Sequence, residues 1–174
     1  MDVKSLVDKR CEDIEISKHP GATAEQIGSY LSWWYDNYRP SRLIIAAGAN
    51  DMLYENKRCR DMKEDLCNEG DIVERVINIG REAKRRGVRD VYICNLYSIR
   101  SIYDGYTSRF NDILENRCIE LGFTIISNSN IELCDLSDGL HVNSKNGHAK
   151  LKHNIMKCCS TYIHRNVNDI VRRR

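Results

Sequence analysis

The chain has 174 residues, of which 41% are hydrophobic and 30% charged, with a formal net charge of +2. That usage fits one ordinary globular domain, and so small a net charge does not by itself imply a polyanion partner. No apolar run approaches the roughly 20 residues that a membrane-spanning helix needs, and no signal segment follows Met1, so a cytoplasmic protein with no membrane partner is expected.

Strands and helices alternate along the chain. Ile14-Glu15-Ile16 reads as a short strand before the turn His19-Pro20-Gly21. Thr23 is a helix cap, and Ile27, Leu31, Trp34 and Tyr38 form one stripe of the helix it starts, which is expected to run to about Tyr38. Leu43 to Ala47 is a buried-type strand ending at Gly48, and Asp51 to Gly70 is expected to be irregular or only briefly helical. A strong helix follows from Asp71, with Ile72, Val76, Ile79 and Ala83 inward and Gly87 as its stop.

Val91 to Leu96 is the next strand, followed by a loop holding Arg100 and Tyr103. Phe110, Ile113, Leu114, Cys118 and Leu121 mark an amphipathic helix stopped by Gly122, and Phe123 to Ile126 is a further strand. The last helix begins near Gly147, with Leu151, Ile155 and Tyr162 inward. Such alternation predicts parallel pairing with crossover helices, hence a three-layer α/β/α sandwich with reactive loops at the carboxyl ends of the strands. Residues 1–165 are expected to form one domain and residues 166–174 a basic tail.

Eight cysteines are present, but no Cys-x-x-Cys pair is among them, so no metal site is expected and the thiols read as reduced, small core residues. His19 is expected to be solvated, and Trp33 and Trp34 to pack where the helix meets the sheet. Lys84-Arg85-Arg86 reads as a solvated helix end that complements the dipole. No aromatic residues interleave with the basic clusters, so a nucleic-acid partner is not expected.

The chemistry-bearing residues follow strands. Asp138-Gly139-Leu140-His141 sets a carboxylate three residues before an imidazole, one way to build the acid–base half of a hydrolytic triad. Gly48-Ala49-Asn50-Asp51 supplies an amide able to donate to an oxyanion. With Ser17 to Gln26 and Asp138 to Asn143 plus Gly147, these segments resemble the SGNH (GDSL-type) hydrolases, most of all the versions in animal retroelement-related proteins, from about Ile14 to Tyr162.

The resemblance implies a flavodoxin-like parallel sheet and hydrolysis of esters or thioesters, with a small ester as substrate, without cofactor or metal. It implies His141 as general base, Asp138 as its orienting acid, and Gly21 N–H and the Asn50 amide as oxyanion donors. The family's opening Gly-Asp-Ser is missing here. Ser5 is the nearest candidate nucleophile. Alternatively Asp2 caps a helix carrying Val3, Leu6, Val7 and Arg10, and the nucleophile strand lies upstream of Met1 or is lost. In the family order that first strand would lie between the strands at Ile14 and Leu43. Without its Gly-Asp-Ser it is expected to be degenerate or missing: the N-terminus supplies a degenerate strand, the two flanking strands close up, or the chain is a fragment. A catalytically inactive binding or accessory module of the same fold, which recognises an acyl or sugar ester or serves a retroelement-derived multidomain protein, is the second reading.

Overall fold

The computed structural model describes residues 17–171 apart from 39, 63–67 and 103. The expected strand at residues 14–16, Ser5, the possible N-terminal helix, Tyr103 and Arg172 to Arg174 all lie outside the described residues. The side chain of Tyr162 does too.

The elements run α1 (Ala24–Tyr35), β1 (Arg42–Ile45), α2 (Ala49–Met62), α3 (Glu69–Arg85), β2 (Asp90–Cys94), α4 (Asp104–Leu121), β3 (Thr124–Ile126) and α5 (Gly147–Val171). The strands form a parallel sheet in the order β1-β2-β3, with Ile45 opposite Ile93 and Cys94 opposite Ile126. Among the described residues β1 and β3 are its two edges.

Alternation along β2 distributes the helices between the faces. Val91 and Ile93 join the core shared with α1, α2, α3 and α4, whereas Tyr92 and Cys94 turn to the other face, where Ile155 and Cys158 of α5 cover them. The crossovers through α3 and α4 therefore fall on one side, as connections of one hand must when the strand order advances in one direction. The α/β parallel sheet expected from the sequence is present, with helices on both faces. Burial pushes the Cys94 and Cys118 thiols up to about 12.

Two boundaries and two side chains differ from expectation. α1 ends at Tyr35, and Tyr38 beyond it stacks on Trp34 with centroids 4.9 Å apart. α2 is a 14-residue helix where an irregular segment was expected. Met52 and Cys59, buried and two turns apart, anchor it beside half-buried Leu53. Its remaining residues are mostly polar, so the apolar stripe is too thin to reveal the period. Trp33 is 71% exposed, so it is no packing residue, while Trp34 does pack against the core. His19 is half-buried, not solvated, because its ring stacks on Tyr30 at 4.4 Å.

Local chemistry starts the helices. Thr23 and Gln26 form a reciprocal capping box on α1. Asn68 caps α3 three residues earlier than Asp71, and the helix buries Ile72, Val73, Val76, Ile77, Ile79, Gly80 and Ala83. Gly80 is required there by contact, since a Cβ would stand 2.8 Å from the Phe123 ring. α5 continues through residues 166–171, in the stretch expected to form the tail.

A buried amide ladder ties the carboxyl ends of β2 and β3 to α5. The Asn128 N–H donates to Asn95 Oδ1 at 2.7 Å, and Asn128 Nδ2 donates to the Asn95 carbonyl at 3.0 Å. Asn154 Nδ2 donates to Asn128 Oδ1 at 3.1 Å and to Asn130 Oδ1 at 2.8 Å. Removing the Asn128 amide deletes two of these bonds and orphans buried polar groups. Asn128→Ala should therefore lower stability by about 2–3 kcal/mol, read as a lower urea midpoint at unchanged slope. A change within about 0.5 kcal/mol would show that the ladder is not structural.

Candidate active site

Three loops at the carboxyl ends of the strands, and the turn before α1, hold the groups singled out in the sequence. In the loop after β3, the 3-10 turn Leu133–Asp135 precedes an antiparallel bridge between Leu136 and Val142. Within that bridge the Ser137 N–H donates to the His141 carbonyl at 2.8 Å. Asn143 then closes the loop onto α5, with its Oδ1 accepting from the backbone N–H groups of Lys145, Asn146 and Gly147. Lys150 of α5 reaches back to the buried Asp135 carboxylate at 2.6 Å. Gly147 admits no side chain, because a Cβ would run into the Asp135 carbonyl and stand 2.9 Å from Val142 Cβ.

This frame presents Asp138 and His141. Asp138 Oδ1 accepts from the Leu140 N–H at 2.9 Å and the His141 N–H at 2.7 Å. Its other oxygen, Oδ2, meets His141 Nδ1 at 2.7 Å. One carboxylate thus both shapes the turn and orients the His141 imidazole. The His141 side chain is 70% exposed, and among the described residues no serine hydroxyl hydrogen-bonds to its Nε2.

The loop after β2 grips this turn from outside. Tyr97 Oη donates to the Leu140 carbonyl at 2.9 Å, and the Arg100 N–H donates to the Gly139 carbonyl at 2.9 Å. Burial, and then the Asp138 charge, push the Tyr97 phenol up. Gly139 has φ +83°, and a Cβ there would stand 2.8 Å from Arg100 Cβ, so the Arg100 stem lies across it. The sequence marks Arg100 only as a residue of this loop and assigns Tyr97 no role. A tyrosine in a polar stretch just after a strand was the only signal, and its partner lies 43 residues away.

Gly21 and Asn50 also come together. Asn50 stands in the first turn of α2, and its Nδ2 donates to the Ala22 carbonyl at 2.9 Å. Beside it, buried Asp51 accepts from the Ala24 N–H at 2.8 Å and lies 3.6 Å from Arg75 Nη1. Two neighbouring side chains of α2 therefore hold the turn that carries Gly21, which has φ +75°. Asn56 of α2 donates to the Ser101 carbonyl at 2.7 Å, connecting this half to the loop that grips His141. No group of three or more metal-ligating side chains occurs among the described residues.

Hydrogen bonds from the His141 ring and from the His141 and Leu140 N–H groups hold the Asp138 carboxyl well below the usual carboxylate range. A depressed folded value stabilises the fold above the unfolded value and loses that contribution as pH falls toward the folded one. Wild type should therefore exceed Asp138→Asn in stability at about pH 6, and the gap should narrow by about pH 2, below the unfolded aspartate value of about 3.9. Urea unfolding at the two pH values checks this, and a gap that widens in acid would contradict it.

No protein-family model matches the chain, and no curated protein matches its sequence. Solved structures do match its fold. A GDSL-like lipase from Bacteroides thetaiotaomicron superposes with a TM-score of 0.65 at 18% identity, over 82% of this chain and 73% of its own. A member of the lipolytic G-D-S-L family from Veillonella parvula gives 0.67 at 15% identity, over 89% and 85%. A catalytic mutant of an acetylxylan esterase from Geobacillus stearothermophilus gives 0.62 at 14%, over 79% and 67%. Described strands, crossovers and helices thus have the SGNH (GDSL-type) hydrolase fold.

Proposed function

We propose that the chain is a carboxylic ester hydrolase of the SGNH type, acting on a small acyl or sugar ester through a serine nucleophile. The observation that carries this reading is the 2.7 Å contact between Asp138 Oδ2 and His141 Nδ1, made by a carboxylate that also fixes the backbone of the same turn. With Nδ1 committed to Asp138, Nε2 is the nitrogen left to accept a proton. The fold's relatives, which include an acetylxylan esterase, support ester cleavage as the reaction class.

In this reading His141 Nε2 takes the proton from the serine hydroxyl as its oxygen attacks the ester carbonyl. The developing oxyanion receives the Gly21 N–H and an N–H of Asn50, whose amide has a second donor besides the one given to Ala22. The imidazolium then protonates the departing alcohol, and water repeats the sequence to free the acid. Asp138 stays ionised throughout and stabilises the imidazolium. Ser5 is the residue proposed as nucleophile.

A second reading, a catalytically inactive binding module of the same fold, is favoured by the lack of any described serine hydroxyl bonded to His141. Hydrolysis of p-nitrophenyl acetate separates the two. The hydrolase reading expects turnover that His141→Ala reduces at least ~10³-fold, and that Ser5→Ala abolishes. Asn50→Ala should lower kcat by about 10²–10³. Equal turnover by wild type and His141→Ala, or none by wild type, would favour the binding module.

A further inference from the structure

We propose that Arg100 is a specificity determinant that selects esters bearing a carboxylate, an inference that rests on the ester-hydrolase reading of the Asp138–His141 turn. Arginine is the side chain suited to this task, because its planar fork of donors matches a carboxylate in bidentate fashion and keeps its charge at any working pH.

Two independent observations distinguish Arg100 from an ordinary surface arginine. The first is charge pairing. Among the arginines whose side chains are described, every other one has a carboxylate within 4 Å, including Arg75 with Asp51, Arg109 with Glu69 and Arg117 with Glu74. Arg100 has none among the described residues. The closest acid in sequence terms on the loop it touches, Asp138, is engaged by the His141 ring and two N–H groups.

The second is placement. Arg100 is fastened to the residue next to Asp138 twice, by its N–H on the Gly139 carbonyl and by its stem. A Cβ at Gly139 would meet Arg100 Cβ at 2.8 Å, Cδ at 3.3 Å and Nε at 3.4 Å. The stem is thus laid along the turn as far as Nε, and only the guanidinium extends beyond it. The guanidinium is exposed, and contact along the stem lowers the cost of ordering it on a bound anion. A cation with no carboxylate partner among the described residues, held at the margin of an open acid–base pair, is suited to hold the anionic end of a substrate while its ester bond lies at His141.

The experiment compares carboxylate-bearing esters with neutral partners of matched shape. On the alcohol side these are 3- and 4-acetoxybenzoate and their methyl esters. On the acyl side they are the monophenyl ester of adipic acid and phenyl 6-methylheptanoate, whose terminal isopropyl group matches the carboxylate in shape. Wild type should prefer the charged member of at least one pair by about tenfold or more in kcat/KM. Arg100→Gln should lose that preference while keeping its rate on the neutral esters, and Arg100→Lys should retain part of it. Equal rates on charged and neutral partners in wild type, or a preference that survives in Arg100→Gln, would overturn the proposal.

Should wild type cleave no ester at all, the hydrolase reading fails by itself and Arg100 is judged by binding. Benzoate titrated into the labelled protein should then shift the Arg100 Nε–H and His141 imidazole resonances in wild type, and should leave the His141 imidazole resonances of Arg100→Gln unmoved. No shift in wild type would overturn the proposal.

Discussion

Asp138 carries the constraint on which the candidate site depends. One carboxylate accepts the His141 ring, the His141 N–H and the Leu140 N–H, so the geometry of the turn and the orientation of the imidazole have a common origin. A carboxylate with three donors keeps its charge deep into acid and cannot easily relax away from its partner. Such a pair is organised before any substrate arrives, which is what electrostatic catalysis requires. Its position is held from behind by the Lys150–Asp135 ion pair, by Asn143 at the start of α5, and by Tyr97 and Arg100 from the neighbouring loop.

The opposite half of the site follows the same logic with different atoms. Asn50 and Asp51, consecutive on the first turn of α2, each bind backbone in the turn before α1, one through a donor and one through an acceptor. The N-termini of α1 and α2 are thereby registered on one another, and the positive-φ turn at Gly21 is fixed relative to Asn50. The Asn56–Ser101 bond joins this assembly to the loop that grips the Asp138 turn. Behind both halves, the Asn95–Asn128–Asn154 ladder holds the strand ends together, so the rim is anchored in the buried part of the protein.

What was legible in the sequence is what local periodicity and local chemistry decide. α3 buries one complete stripe of aliphatic residues, and its pattern is unmistakable from Ile72 to Ala83. Asp138 and His141 are three residues apart, so their contact is a property of one turn and can be read without knowing the fold. α2 was missed because Met52 and Cys59 are a thin apolar signal in a polar stretch. Trp33 was misplaced because two adjacent aromatics on a helix cannot share a face, and the sequence alone does not say which one faces in. Tyr97, Asn128 and the stem of Arg100 act only through long-range contacts. Nothing in their immediate neighbourhood announces them.

The central claim is that a serine of this chain is activated by the Asp138–His141 pair. Its most direct measurement is treatment with a fluorophosphonate followed by mass mapping of the modified peptide in wild type and in His141→Ala. The account predicts a single phosphonylated serine in wild type and its loss, or a slowing of at least ~10²-fold, when the imidazole is removed. A wild-type chain that takes no label, or one that labels at the same rate without His141, would contradict it.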